Sequence, residues 1–300
     1  GSLPPAVVLS GTAFGGRQPI VGAAITIYAA GTTRGGNATA IGHATTDAQG
    51  AFSVSAFSPA PSAGQLVYVV AQGGNAGGGA NAAIRLMSVA GAYCSGSCAF
   101  AQTLNIDELS SVAAAYSLAQ YLDADGASPG LGNAAATIGN LVDAATGQAA
   151  AFLDAAGCSG AGAGNCATLQ KLDTLANVTA ACVNSSGPAS TACAGLFAHG
   201  GGAGNTLAAL AAIATTPALR NDAAGLFALA AAPAVYTPAL AAAPNDWTLA
   251  LSYGGGGLGS PAGVAVDASG NVWVTDNTAA GGLSKFSPTG AALSPAAGYG

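Results

Sequence analysis

Alternation between apolar and polar residues dominates the first third of the chain and predicts a set of short β-strands. Apolar or β-branched residues recur at every second position, and glycine, proline and aspartate separate the runs. Asp47-Ala-Gln-Gly50 is a tight turn between two such runs. Short antiparallel strands at this spacing predict a β-sandwich. The strands are expected over residues 6–14, 23–28, 38–45, 51–57, 65–71 and 82–92.

A helical pattern follows, with apolar residues at three- and four-residue spacing over residues 105–122. It predicts a mostly buried helix whose narrow solvent-exposed edge includes Ser110 and Ser111. Asn105 is the expected N-cap, and Glu108 is expected to reach back to the cap's amide in a variant of the capping box. Glu108 is the one glutamate of the sequence and therefore the first candidate for a catalytic acid. The capping signature favours a structural role.

Further helices are predicted over residues 133–145, 165–183, 205–214 and 218–231. Residues 148–156 either continue the first of these or form a short separate piece. In the helix over 165–183, leucines form an apolar stripe, and Lys171 and Asp173 are expected on the solvent-exposed face. Thr216 is the expected N-cap of the last helix, with Pro217 at its first position.

Low charge limits the classes of partner. Only 6% of the 300 residues are charged against 51% hydrophobic, and the net charge is -6. The sequence has no basic patch, which argues against binding to nucleic acid or to an anionic membrane surface. Pro233 and Pro238 interrupt the long alanine-rich run, so no membrane span is predicted.

The six cysteines are close neighbours in pairs and are the candidate disulfide residues: Cys94, Cys98, Cys158, Cys166, Cys182 and Cys193. An even count in a chain with few charges fits an oxidising compartment and predicts a secreted or cell-surface protein, with the connectivity left open. Cys94-Ser-Gly-Ser-Cys98 lacks the spacing of the common zinc and haem motifs.

No catalytic, cofactor-binding or metal-binding residue is predicted. His43 and His199 lie far apart, and no local motif joins either of them to a nucleophile. The stretch 123–129 has the aspartates of a calcium loop but lacks the third acid and the distal glutamate of an EF-hand.

Three segments near the N-terminus carry a family resemblance: Ser10-Gly-Thr-Ala13, residues 19–28, and Thr45-Thr-Asp-Ala-Gln-Gly50 with its continuation to residue 54. Together they resemble the carboxypeptidase-regulatory-like, prealbumin-type sandwich over about residues 4–72. The resemblance implies a spacer or adhesion stalk of a bacterial surface protein, seldom catalytic itself.

The C-terminal segment resembles a blade of an NHL-type β-propeller. Pro261-Ala-Gly-Val-Ala-Val-Asp267 gives one strand, Ser269-Gly-Asn271 the turn and Val272-Trp-Val-Thr275 the partner strand. Residues 284–287 are similar to the outer strand. Propellers need several blades, so the resemblance implies the first blade of a truncated propeller. The whole order is similar to that of large secreted bacterial NHL-repeat proteins.

The predicted fold class is multidomain α+β, in three domains. Residues 1–102 form the Ig-like or prealbumin-like β-sandwich, residues 103–246 an Ala-rich, disulfide-stapled helical domain, and residues 247–300 the partial propeller blade.

We expect a non-enzymatic structural, adhesion or assembly protein. Its incomplete blade is expected to pair with the helical domain, to pair with a second copy in a homo-oligomer, or to stay loosely ordered. One alternative is the N-terminal part of a propeller lyase or lactonase, with Asp267 and Asp276 as channel or turn residues. Another is a module that binds a surface glycan or peptide.

Overall fold

A computed structural model describes residues 9–31, 37–94, 100–122, 135, 137–153, 158, 165–219, 222–277 and 282–300. The chain forms two compact units, one ending at Leu249 and the other beginning at Ala250. Antiparallel sheets, then helices, then a small sheet follow one another, which confirms a mixed α+β chain. The division into three domains stays a prediction.

In the residues that the structure describes, eight strands precede the first helix, and six of them match the predicted runs to within a few residues. They form two four-stranded sheets, one in the order β4-β3-β6-β7 and the other in the order β2-β1-β5, with β8 parallel to β1. The two sheets share one apolar core, to which β1, β3, β5, β6 and β7 all contribute. The strands are β1 Leu9–Gly15, β2 Gln18–Pro19, β3 Ala24–Ala29, β4 Thr39–Thr45, β5 Ala51–Val54, β6 Leu66–Gln72, β7 Arg85–Ala92 and β8 Thr103–Ile106.

The first helix, α1, spans Glu108–Leu118, and its N-cap is Asp107, not Asn105. Asp107 and Ser110 form the capping box: the Ser110 amide donates to Asp107 Oδ1 at 2.8 Å, and the Asp107 amide donates to Ser110 Oγ at 3.0 Å. The predicted cap was wrong because Asn105 belongs to β8, whose pairing with β1 holds it in extended backbone. Glu108 takes no part in capping.

The free edge of β7 is closed by hydroxyl groups. Ser110 Oγ donates to the Met87 carbonyl at 2.9 Å, and Ser111 Oγ accepts from the Met87 amide at 2.9 Å. The Thr206 hydroxyl alone makes both kinds of bond to Arg85: it accepts from the Arg85 amide and donates to the Arg85 carbonyl. Ser110 and Ser111 are therefore buried, and their predicted place on a wet edge was wrong. A sheet edge presents unpaired donors and acceptors, and these side chains take the place of a neighbouring strand.

Four α-helices follow in the described residues from 165 onward: α2 Cys166–Val183, α3 Thr191–His199, α4 Thr206–Thr215 and α5 Ala223–Phe227. Those predicted over 165–183 and 205–214 are confirmed. The one predicted over 218–231 was wrong beyond the short α5, and Thr216 ends α4 as its C-cap instead of beginning a helix. From Ala228 to Leu249 the chain has no regular structure and lies along α2.

Of the helix predicted over 133–145, Ala135 is helical, but the described residues from 137 to 145 are not α-helical, nor are those of its continuation to 156. A 3-10 helix, Thr137–Asn140, precedes a small hairpin of β9 Val142–Asp143 and β10 Gln148–Ala149. Asp143 Oδ1 accepts from the Ala145 amide at 2.9 Å and so forms the turn. Gly147 completes it with φ +68, and a Cβ there would meet the Asp107 side chain.

Four of the six candidate cysteines form two disulfides, which confirms that the chain has disulfide bonds and gives the pairing that the sequence left open. Cys158 is bonded to Cys166 and Cys182 to Cys193. Cys94 is also disulfide-bonded. Cys98, the sixth candidate, lies outside the described residues, as does the stretch 123–129. Among the helices that the structure describes, none is both long and apolar enough to cross a membrane.

The second unit holds an antiparallel sheet of β11 Pro261–Val266, β12 Val272–Asp276 and β13 Leu283–Phe286, in that order. β12 lies in the middle. The outer side of β13 is bridged by Ala292 and Tyr299. All six residues of β11 are exposed.

Candidate functional site

Glu108, the first candidate from the sequence, lies at the centre of a buried carboxylate cluster. It is 0% exposed. The Gly16 amide donates to both of its carboxylate oxygens at 3.0 Å, and the hydroxyl of Tyr236 donates to Oε2. Three distant parts of the chain, the β1–β2 turn, the start of α1 and the segment after α5, thus meet at one side chain.

Local structure brings each partner to Glu108. Gly16 has φ +60 in the turn between β1 and β2, a backbone conformation that glycine adopts without strain. Glu108 is the first residue of α1, where the partial positive charge of the helix end favours a carboxylate. These two features orient the carboxylate toward the turn.

Asn177, in the middle of α2, positions Tyr236. Its Oδ1 accepts from the amides of Val235 at 2.8 Å and Tyr236 at 3.0 Å, and its Nδ2 donates to the Tyr236 carbonyl at 2.9 Å. The amide side chain therefore binds a segment without regular structure as a neighbouring strand would. One helix turn earlier, Thr174 Oγ1 accepts from the Leu240 amide at 2.9 Å.

Burial changes the acidity of the cluster. It raises the pKa of Glu108 to about 8, although the bonds from Tyr236 and Gly16 oppose the rise. It likewise raises the pKa of Asp107 to about 7 against the opposing bonds from Ser110. Burial and the nearby Glu108 carboxylate raise the pKa of Tyr236. Burial therefore makes the Glu108 carboxyl group harder to ionise than an exposed glutamate.

A cavity of about 290 Å³ lies beside the cluster. Gly16 and Tyr236 line it, as do Arg17, Leu109 and Asp173. The sequence placed Asp173 on the wet side of its helix, and this was wrong, since the residue is 2% exposed. Its burial raises its pKa to about 7.

The chemistry available here is hydrogen bonding and proton uptake by carboxyl groups. His43 lies on β4, with Nδ1 3.4 Å from Thr26 Oγ1. His199 pairs with Asp222, Nε2 to Oδ2 at 3.0 Å. The structure brings neither histidine to the Glu108 cluster. Within the described ranges, no three His, Cys, Asp or Glu side chains are grouped so as to hold a metal ion.

The two aspartates considered in the second unit both bond within their own sheet. Asp267 Oδ1 accepts from the Ser269 and Asn271 amides at 2.9 Å, and Oδ2 accepts from Trp273 Nε1 at 3.0 Å. The bonds from Asn271 and then Trp273 lower the pKa of Asp267 to about 2. Asp276 accepts from the amides of Gly259 and Ser260.

A comparison with protein families finds one match, to the NHL repeat, over residues 258–279. The matched residues hold β11, the Asp267 turn and β12, the part of the chain for which the sequence predicted this repeat. No curated protein and no solved structure matches the chain.

Sequence reasoning missed Asp173, Asn177 and Tyr236. Asp173 and Asn177 lie four residues apart on α2, as residues of one helix face do. That pair of polar residues on the buried side of a leucine-rich helix was the available signal. Tyr236 lies among alanines and prolines, and no pattern there predicted its role.

Proposed function

We propose that the protein is a non-catalytic, secreted assembly protein in which the second unit is an NHL-type blade that binds the same blade of a second copy. The first unit, with its resemblance to the prealbumin-type sandwich, serves as the spacer that carries the blade. The observation that carries this proposal is the open strand β11.

Both the edge and one face of β11 offer a surface for association. Val264 is 72% exposed and Val266 66% exposed, and both lie on one side of the strand because they are two residues apart. β11 pairs with β12 on one edge, and its other edge has no ladder partner among the described residues. An open edge with exposed β-branched residues favours pairing with another strand.

The contrast with β13 supports the choice of surface. The outer side of β13 is covered by bridges to Ala292 and Tyr299 of its own unit. The family match supports the choice of partner, since repeats of this kind bury their faces against neighbouring repeats. A two-fold arrangement would present the same β11 surface from both copies.

The disulfides support the proposed compartment. Two bonds, Cys158–Cys166 and Cys182–Cys193, lie in the first unit, and such bonds persist in oxidising compartments. The enzyme and glycan-binding alternatives stay predictions, and no particular contact in the described residues favours either.

Light scattering with size-exclusion chromatography over a concentration series tests the proposal. The unaltered chain is expected to gain mass with concentration. The double variant Val264→Asp/Val266→Asp is expected to stay a monomer, because paired charges on the strand would be desolvated on association. Val21→Asp is the matched control: Val21 is 41% exposed but lies in the first unit. A wild-type chain that stays monomeric at every concentration overturns the proposal.

A further inference from the structure

The cavity beside Glu108 presents two opposite charges that do not bind each other. Asp173 and Arg17 both line it. No ion pair or hydrogen bond joins their side chains in the part of the chain that the structure describes. From this arrangement we propose that the cavity is a binding site for a small zwitterion of the amino-acid type, with its ammonium group on Asp173 and its carboxylate on Arg17.

Asp173 is the group that requires a partner. It is 2% exposed, and its Oδ2 is sealed from solvent without a hydrogen bond. The described residues give the whole carboxyl group no donor. A buried carboxylate without a partner is strongly unfavourable, so the group either holds a proton or binds a donor that enters the cavity. An ammonium group supplies both a positive charge and several donors.

Arg17 decides between a zwitterion and a plain cation. It is exposed, lies in the β1–β2 turn directly after Gly16, and has no acidic partner among the described residues. A simple amine bound to Asp173 would be repelled by this guanidinium group. A simple carboxylate would bind Arg17 but would be repelled by the Asp173 carboxylate and by the net charge of -6 on the chain. A ligand with both charges matches both groups.

Size and lining agree with a ligand of this class. The cavity volume, about 290 Å³, is at the lower end for small-molecule sites. Leu109 and Val235 provide apolar surface for a short side chain. Gln148 and Thr237, both exposed at the same cavity, add polar groups near its opening.

Calorimetric titration of the full chain tests the site with glycine, L-alanine, L-serine, L-threonine and L-glutamine as probes. Ethylammonium and propionate are the single-charge controls. At least one amino acid is expected to bind with a Kd in the millimolar range or below. Each single-charge control is expected to bind about tenfold more weakly or not at all, because one charge-assisted contact is lost.

Two variants assign the binding to this cavity. Arg17→Gln changes an exposed residue and should leave the fold intact while weakening amino-acid binding about tenfold. Asp173→Asn keeps the shape of the side chain and should weaken binding by a similar factor. Lys285→Gln, which removes one positive charge from the second unit, should change nothing.

Three results would overturn the proposal. One is the absence of binding by all five amino acids at millimolar concentration, which would mean that a proton or water alone satisfies Asp173. Another is ethylammonium binding that equals amino-acid binding. The third is amino-acid binding that Arg17→Gln leaves unchanged, which would place the ligand elsewhere. Because the β11 surface takes no part, the oligomeric state cannot decide this test.

Discussion

Tyr236 donates its hydroxyl hydrogen to the carboxylate of Glu108, which lies 128 residues earlier in the chain. Glu108 also binds the Gly16 amide, so one buried side chain joins the first β-turn, the first helix and the segment after α5. The residue that the sequence offered as a catalytic acid is thereby enclosed by protein groups. Its geometry is that of a junction between elements.

Raising the pH is expected to destabilise the protein through Glu108. The folded pKa is about 8 against an ordinary value of 4.5, so the folded state binds the proton more tightly than the unfolded state. Its contribution to the free energy of unfolding is fully present below pH 4.5 and is lost as the pH rises through about 8. Asp107 and Asp173, both with a pKa raised to about 7, act in the same direction.

Thermal unfolding followed by circular dichroism across this range is the measurement. Glu108→Gln should flatten the decline of Tm with pH, which corresponds to on the order of a few kcal/mol in the free energy of unfolding, because the amide does not titrate. Asp246→Asn is the control, since the pKa of this acid is lowered and its titration lies below the range. A wild-type Tm that rises from pH 5 to 8 would contradict the assignment.

Removal of the Asn177 side chain should release the segment that carries Tyr236. Asn177→Ala removes three hydrogen bonds to Val235 and Tyr236 and leaves their half-buried backbone groups without these partners. We expect a loss of about 2–4 kcal/mol in the free energy of unfolding by denaturant. Asn184→Ala, at the end of the same helix, removes only a local bond to Ala180 and should cost much less. Equal losses in the two variants would refute the positioning role.

The strands were predictable because a half-buried sheet imposes a period of two on the sequence, as the alternating burial of β1 shows. Helix α2 was predictable because its leucines recur at helical spacing. The β9–β10 hairpin was missed because residues 142–149 include alanines that favour helix, and the Asp143 turn overrides that preference.

The contacts of the Glu108 cluster were harder to predict from the sequence. Their formation depends on side chains of one element binding the backbone of another, as Asn177 binds residues 235 and 236. Such contacts join residues far apart in the chain and leave no local period. Asp173 and Ser111 were predicted to be solvent-exposed for the same reason, because a polar residue on a helix is expected at the surface when its tertiary contacts are unknown. Asp173 instead lines the cavity, and Ser111 accepts from the Met87 amide.

The hydroxyl group of Thr206 is expected to be essential to the edge of β7. Thr206→Val keeps the shape of the side chain but leaves the Arg85 amide and carbonyl without their contacts of 2.9 and 2.6 Å. The expected cost is about 1–3 kcal/mol in the free energy of unfolding. Thr215→Val, at the exposed end of the same helix, is the matched control because its hydroxyl bonds only to Ala212. A Thr206→Val protein as stable as the control would show that water replaces the hydroxyl.

Asp267 is expected to hold Trp273 in the sheet of the second unit. Asp267→Ala removes the acceptor of Trp273 Nε1 together with those of the Ser269 and Asn271 amides, so the turn should loosen and the indole should become more accessible. Acrylamide quenching of tryptophan fluorescence measures this change, because Trp247 is 0% exposed and should remain protected.

Asp47→Ala is the matched control. It removes a turn acceptor of the same kind in the first unit, where Asp47 binds the Gln49 and Ala51 amides. Increased quenching in Asp267→Ala but not in Asp47→Ala would support the role of Asp267, and unchanged quenching in both would contradict it.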